Sequence, residues 1–196
     1  MFFKNDEKQT FYSDIKRGEN RMMVNIFGKV VAVCVAILVF GSVAYALDSE
    51  FTRKTMKGLQ GVYVLVEELQ PNIQKYGIKA GLKKELLQAD IESILKAGGI
   101  KVLNREAWLK TPGNPVLYVN INTHETEKYW YGYDVRVEMQ QVVSLEAHPK
   151  TRLLVGTWTT NMTGAANIGS LGNIRNAVQV MVGKFVQAYK EENRPQ

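Results

Sequence analysis

Tyr129–Glu146 reads YWYGYDVRVEMQQVVSLE, and this stretch decides the fold. Tyr131, Tyr133, Val135, Val137 and Met139 alternate with Gly132, Asp134, Arg136, Glu138 and Gln140. Successive side chains of a strand point to opposite faces, so one face here is apolar and the other polar. That is the pattern of an antiparallel strand with one side on a core and the other in water. Pro115–Thr123 repeats it, with Leu117, Val119 and Ile121 set against Tyr118, Asn120 and Asn122. Arg152–Met162 (RLLVGTWTTNM) is rich in β-branched and aromatic residues and reads as a third strand. The polar runs HETEK (124–128) and AHPK (147–150) are short enough for hairpins, which puts His124 and His148 in turns.

The flanking segments supply helices. Residues 79–97 (KAGLKKELLQADIESILKA) carry Leu87, Ile91, Ile94 and Leu95 at helical spacing, and Gly98-Gly99 reads as the C-cap. Ile100–Leu103 then predicts a short strand. Upstream, LQGVYVLVEEL (59–69) is apolar on both faces, as a strand covered on both sides would be, and Pro71-Asn72 ends it. Arg105–Leu109 predicts a helical turn. Leu171, Ile174, Val178, Met181, Phe185 and Tyr189 form a helical stripe over Ser170–Lys190, with Ser170 as N-cap. Residues 47–58 read as a linker and 193–196 as a loose tail. The expected fold is α+β: a two-layer β-α-β-β-β-β-α domain over 59–192, with a mixed or antiparallel sheet and two helices on one face.

Location is read from another stretch. Val30–Leu47 (VVAVCVAILVFGSVAYAL) carries no charge, follows Lys29 and precedes Asp48. It ends in Ala44-Tyr45-Ala46, the small-x-small pattern of a signal-peptidase site, so cleavage would leave Leu47 first. Left uncut, the segment would be an inner-membrane anchor and the protein's only membrane contact. Either way the basic flank stays inside and the domain lies outside, in the periplasm or beyond. Residues 22–46 make a signal peptide of ordinary shape if translation begins at Met22 or Met23. Arg17-Gly18-Glu19 can be encoded by a ribosome-binding sequence, so residues 1–21 read as an extension from a misplaced start. Val33-Cys34 lies mid-segment, which does not fit a lipobox.

Composition narrows the function classes. Of the net charge of +6, the first 46 residues contribute 6 basic and 4 acidic side chains, leaving 19 basic and 15 acidic, or +4. The basic residues are scattered, whereas nucleic-acid binders cluster them on one face. The single cysteine, Cys34, lies in the apolar segment, so the domain has no disulfide, thiolate ligand or cysteine nucleophile.

Chemical motifs are sparse. His124-Glu125-x-Glu127 offers three potential ligands in four residues, but durable metal sites draw on several elements, and no metal or cofactor is expected. No G-x-S-x-G is present; a Ser-His-Asp set could form only in three dimensions, from His148 and Asp134. Glu67 and Glu68 are strand neighbours facing opposite ways and do not pair. The glycine-rich stretch with Gly164, Gly169 and Ser170 precedes a helix and could cradle an anion, or simply connect strand to helix. Tyr129, Trp130, Tyr131, Tyr133 and Trp158 concentrate aromatic surface on two strands. Alternation turns half of them away from the core, where aromatics anchor partners or glycans, with Arg136 as a polar contact.

Through GVYVLVEEL, ADIESILKAGGIKVL, YDVRVEMQQVVSL and GTWTT before the last helix, residues 59–192 resemble an uncharacterised family of exported bacterial α/β proteins. In fold the domain is similar to small periplasmic accessory domains of the curli-secretion and cell-wall-synthase-activator type. The resemblance implies structural motifs and no active residue. The expectation is an exported, non-enzymatic binding or assembly domain whose partner is an envelope protein, itself or a glycan. The alternatives are a small periplasmic hydrolase with a non-local site and a structural subunit of an envelope complex.

Overall fold

The computed structural model describes residues 48–194. The expected signal segment with Ala44, Ala46 and Leu47, and the expected extension 1–21, lie outside the described residues. Four strands form one sheet in chain order: β1 (Tyr63–Val66), β2 (Val116–Glu127), β3 (Trp130–Leu145) and β4 (His148–Asn167). β1 lies parallel to β2, and the other two junctions are antiparallel. A parallel pair needs a crossover. Here it contains α2 (Pro71–Gly77), α3 (Lys84–Ala97) and α4 (Arg105–Lys110), while α1 (Glu50–Arg53) precedes β1 and α5 (Gly172–Glu192) follows β4.

α3 and α5 cover one face of the sheet. Val64, Leu117, Val119, Val137, Met139 and Trp158 point down from the strands onto Leu87, Ile91, Ile174, Met181 and Phe185, all of them buried in a single core. Each such side chain contributes about 1.5–3 kcal/mol when withdrawn from water. Arg175 of α5 locks the helices together by donating from Nε and Nη2 to the two oxygens of Asp90 on α3, at 2.6 and 2.8 Å. The result is the expected two-layer α+β domain with a mixed sheet.

Several boundaries differ from the sequence reading. Ile100–Leu103 is not a strand: it makes one parallel bridge, Val62 to Val102, before Asn104 caps α4. Residues 59–69 yield a strand of only four residues, and Pro71 starts α2 rather than merely ending β1. Residues 79–83 lie outside α3, because Gly81 sits at φ 70° and breaks the helix. Residues 47–58 are no linker where described, since α1 and a 3-10 turn bring Met56 wholly into the core. Asn193 is not loose: its side chain bonds Gly58 N–H, Met56 C=O and Tyr189 C=O. Ser170 does not cap α5, whose N-cap is Leu171.

The hairpins are tighter than expected. β2 runs through His124 to Glu127, and β4 begins at His148, so neither histidine sits in a turn. The turns are Lys128-Tyr129, with Tyr129 at φ 69°, and Glu146-Ala147. β2 starts opposite Gln140, so β3 and β4 continue beyond it as a two-stranded arm carrying exposed Leu145, Leu153 and Leu154.

Candidate functional site

The face of the sheet opposite α3 and α5 is covered at its β1 end, where Tyr63 stacks on Trp108 of α4 at 5.3 Å and Val116 is buried, and is largely exposed from Tyr118 onward. Strand parity sets its membership. Tyr118, Asn120, Asn122 and His124 come from β2, Trp130, Asp134, Arg136 and Glu138 from β3, and Thr159, Asn161 and Thr163 from β4. The register aligns Asn120, Arg136 and Asn161 in one row, and Asn122, Asp134 and Thr163 in the next.

Much of this face is already committed to itself. Tyr118 Oη and Asn120 Nδ2 both donate to Glu67 Oε2. Asn122 Nδ2 donates to Asn120 Oδ1 at 2.6 Å, Asn161 Nδ2 to Asp134 Oδ1 at 3.3 Å, and Gln140 Nε2 to Glu138 Oε1 at 3.0 Å. Burial, and then the hydrogen bond to Glu67, push the Tyr118 hydroxyl up to about 12. It therefore stays protonated as a donor at neutral pH. Arg136 is exposed, and its side chain makes no hydrogen bond or ion pair among the described residues. Its strand neighbours on the same face are Asp134 and Glu138.

The aromatic patch divides by parity. Tyr131 and Trp158 are buried in the core, so these two are corrected from binding candidates to structural residues; Tyr133 packs partly against the core, stays half-buried and lines the depression beside Gly132. Trp158 Nε1 donates to Asp48 Oδ1 at 2.7 Å, and its ring meets Phe185 at 5.5 Å. Tyr129 and Trp130 remain exposed, at 41% and 46%. Tyr129 meets the edge of Tyr76 at 6.1 Å and lies under Lys128 Nζ at 5.2 Å. Trp130 heads the open face, two residues before Gly132. There a shallow depression of about 520 Å³ is lined in part by Gln70, Asn122, His124, Gly132 and Asp134.

The anion cradle is not formed. Gly164 is a strand residue opposite Tyr133, whose Cζ lies 2.5 Å from where a Cβ would stand; glycine makes room for that ring. The N–H groups of Gly169 and Ser170 bond Asn167 Oδ1 and Asn167 C=O at 2.9 Å each, and Asn167 N–H bonds Ser170 Oγ at 3.0 Å. These donors are spent within the turn. His148 pairs with Leu145, eleven residues along β3 from Asp134. At roughly 3.3 Å per residue this separates them by about 36 Å, so the two cannot share a site.

Among the described residues no group of three or more His, Cys, Asp and Glu is placed to hold a metal ion, and no helix is long and apolar enough to cross a membrane. Fold and site together define a two-layer α+β domain with one helix-covered and one open, polar sheet face. Compared with protein-family models and with curated proteins, the chain matches none.

Proposed function

We propose that the chain is exported on its apolar segment and acts in the periplasm or beyond as a non-enzymatic binding or assembly domain of the cell envelope. The sequence supports export through the uncharged run Val30–Leu47 ending in Ala44-Tyr45-Ala46. The resemblance to exported α/β proteins points the same way.

The observation that carries the binding reading is Arg136. A guanidinium has five donors in a rigid fork and no acceptor. Among the described residues its side chain stands unpaired near the centre of this face, between the rows Tyr118–Glu138–Thr159 and Asn122–Asp134–Thr163, whose Glu138 and Asp134 carboxylates already bond Gln140 and Asn161. Such a surface suits the carbonyls and carboxylates of an envelope protein. A glycan is the second reading, favoured by the exposed Trp130 ring heading the face near the polar depression.

The test is crosslinking and pull-down from native envelope fractions with the full chain and with Arg136→Glu. The expected result is a processed protein in the envelope fraction whose partner is recovered by wild type and lost by Arg136→Glu. Retention on cell-wall polysaccharide, abolished by Trp130→Ala, would select the glycan. An intact, unprocessed chain dissolved in the cytoplasm would overturn export. Equal recovery by wild type, Arg136→Glu and Trp130→Ala would overturn the face.

A further inference from the structure

We infer that β4 is a self-docking edge, and that two copies of this chain join their sheets through antiparallel β4–β4 pairing. The inference names a partner and a surface that the open-face reading leaves unspecified, and it rests on different observations.

Hydrogen-bond parity shows which backbone groups of β4 are free. Tyr63 N–H donates to Pro115 C=O at 3.0 Å, and Glu67 N–H to Val119 C=O at 2.9 Å. The odd-numbered residues of β2 therefore face β1 and the even ones face β3. Carried through the register, the odd residues of β3 face β4, and Trp158, Thr160, Met162 and Gly164 face back toward β3. The N–H and C=O groups of Thr159, Asn161, Thr163 and Ala165 must then point out of the sheet. Ile168 N–H, on the inward parity, bonds Tyr129 C=O, while the outward Asn167 N–H is taken by Ser170 Oγ. Among the described residues no hydrogen bond reaches the outward backbone groups from Thr159 to Ala165.

The two edges of the sheet are treated differently. β1 is four residues long, its first neighbour is bridged by Val102, and Gln88 Nε2 caps Val64 C=O. β4 is twenty residues long. Natural edges are blunted by shortness, charge or proline. Here no charged residue occurs between Arg152 and Arg175, and the only proline of β4 is Pro149 near its start. The single device within the stretch is the bulge by Thr157, which lies before Thr159.

A second copy fits this edge better than a dissimilar strand. Antiparallel pairing about a two-fold axis at Asn161 sets Thr159 of each copy opposite Thr163 of the other, a favourable cross-strand pair. No charge confronts its own image across such an axis. The axis stands perpendicular to the sheet, so both open faces emerge on one side and both helix layers on the other.

The experiment is sedimentation of the full chain in neutral detergent, with residue-resolved amide exchange. The expected species has twice the 22.1 kDa chain mass. Thr159→Lys with Thr163→Lys puts like charges opposite each other twice and should weaken association roughly tenfold or more. Thr163 is exposed, whereas Thr159 is half-buried with its Oγ1 donating to Val137 C=O at 3.3 Å, so Thr163→Lys alone is the variant that should leave the melting curve of the monomer unchanged while weakening association. Amides of Thr159, Asn161, Thr163 and Ala165 should exchange slowly in the dimer and quickly on dilution, while those of Thr160 and Met162 stay slow in both. A chain that remains monomeric at its solubility limit overturns the inference. So does a dimer indifferent to the lysines, or one without the odd–even exchange pattern. Arg136→Glu should leave the dimer intact, so failure of the open-face reading and failure of this one are separately visible.

Discussion

Gly61→Ala should be the most damaging of the small substitutions, and the structure says by how much. Gly61 sits at φ 151°, and a Cβ there would stand 2.5 Å from the backbone oxygen of Lys101 and 3.1 Å from Leu103 Cδ2. That oxygen accepts from Val62 N–H at 2.9 Å, while Val62 C=O accepts from Leu103 N–H at 2.8 Å. A methyl group cannot be fitted without prising this bridge apart. The strained dihedral costs about 1–3 kcal/mol, and a lost hydrogen bond adds about 1 kcal/mol. A total of about 2–4 kcal/mol lowers the melting temperature of a domain this size by about 4–16 °C. Gly58→Ala is the control, because Gly58 also has positive φ, at 75°, but nothing among the described residues lies within 4 Å of its Cβ position. It should cost only about 1 kcal/mol, from the dihedral alone. Urea denaturation followed by circular dichroism compares the two. If Gly61→Ala cost no more than Gly58→Ala, the contact argument would be refuted.

Asp90→Asn should destabilise by about 1–2 kcal/mol at neutral pH, discounted because the paired side chains are partly exposed. The Arg175 guanidinium, bonded to Asp90, holds its carboxyl below the ordinary value of 3.8. The pair's stabilisation is therefore present above that value and lost as pH falls through the lowered one, so wild-type and variant urea midpoints should converge in strong acid. Asn193→Ala removes three hydrogen bonds, should cost about 1–2 kcal/mol, and should speed exchange of the Gly58 amide. Trp108 and Trp158 should diverge on replacement by phenylalanine. The buried Nε1 of Trp108 has no hydrogen-bond partner among the described residues, so Trp108→Phe should stay within about 1 kcal/mol of wild type. Trp158→Phe loses the bond to Asp48 together with packed volume and should cost about 2–4 kcal/mol in the same denaturation assay.

β3 was legible because its alternation is long and uninterrupted, and its phase assigns Val135, Val137 and Met139 to the core. The same phase puts Tyr131 and Tyr133 with them and Trp130 and Arg136 against them. Strand parity, a property of the residue order alone, is therefore enough to divide the aromatic patch. The hairpin ends were illegible for a different reason. His124–Glu127 is polar because the strand outruns the helix layer, so backbone pairing persists where side-chain burial stops. The turn residues Lys128-Tyr129 also lack the glycine or asparagine that positive φ favours. α2 is too short to display a periodic face, with only Ile73 and Gly77 buried. Ile100–Leu103 has strand composition, but Asn104 caps a helix immediately afterwards, leaving no length to pair. The Glu67–Tyr118–Asn120 cluster joins residues more than fifty positions apart, and nothing local announces it.

The clasp between the two ends of the domain bears on timing. Met56 and Gly58 are held by Asn193, Arg53 by Glu191, and the underside of the sheet is sealed by Ile174, Met181 and Phe185 of the final helix. A ribosome must therefore finish nearly the whole polypeptide before this seam between the first and last residues of the domain can close.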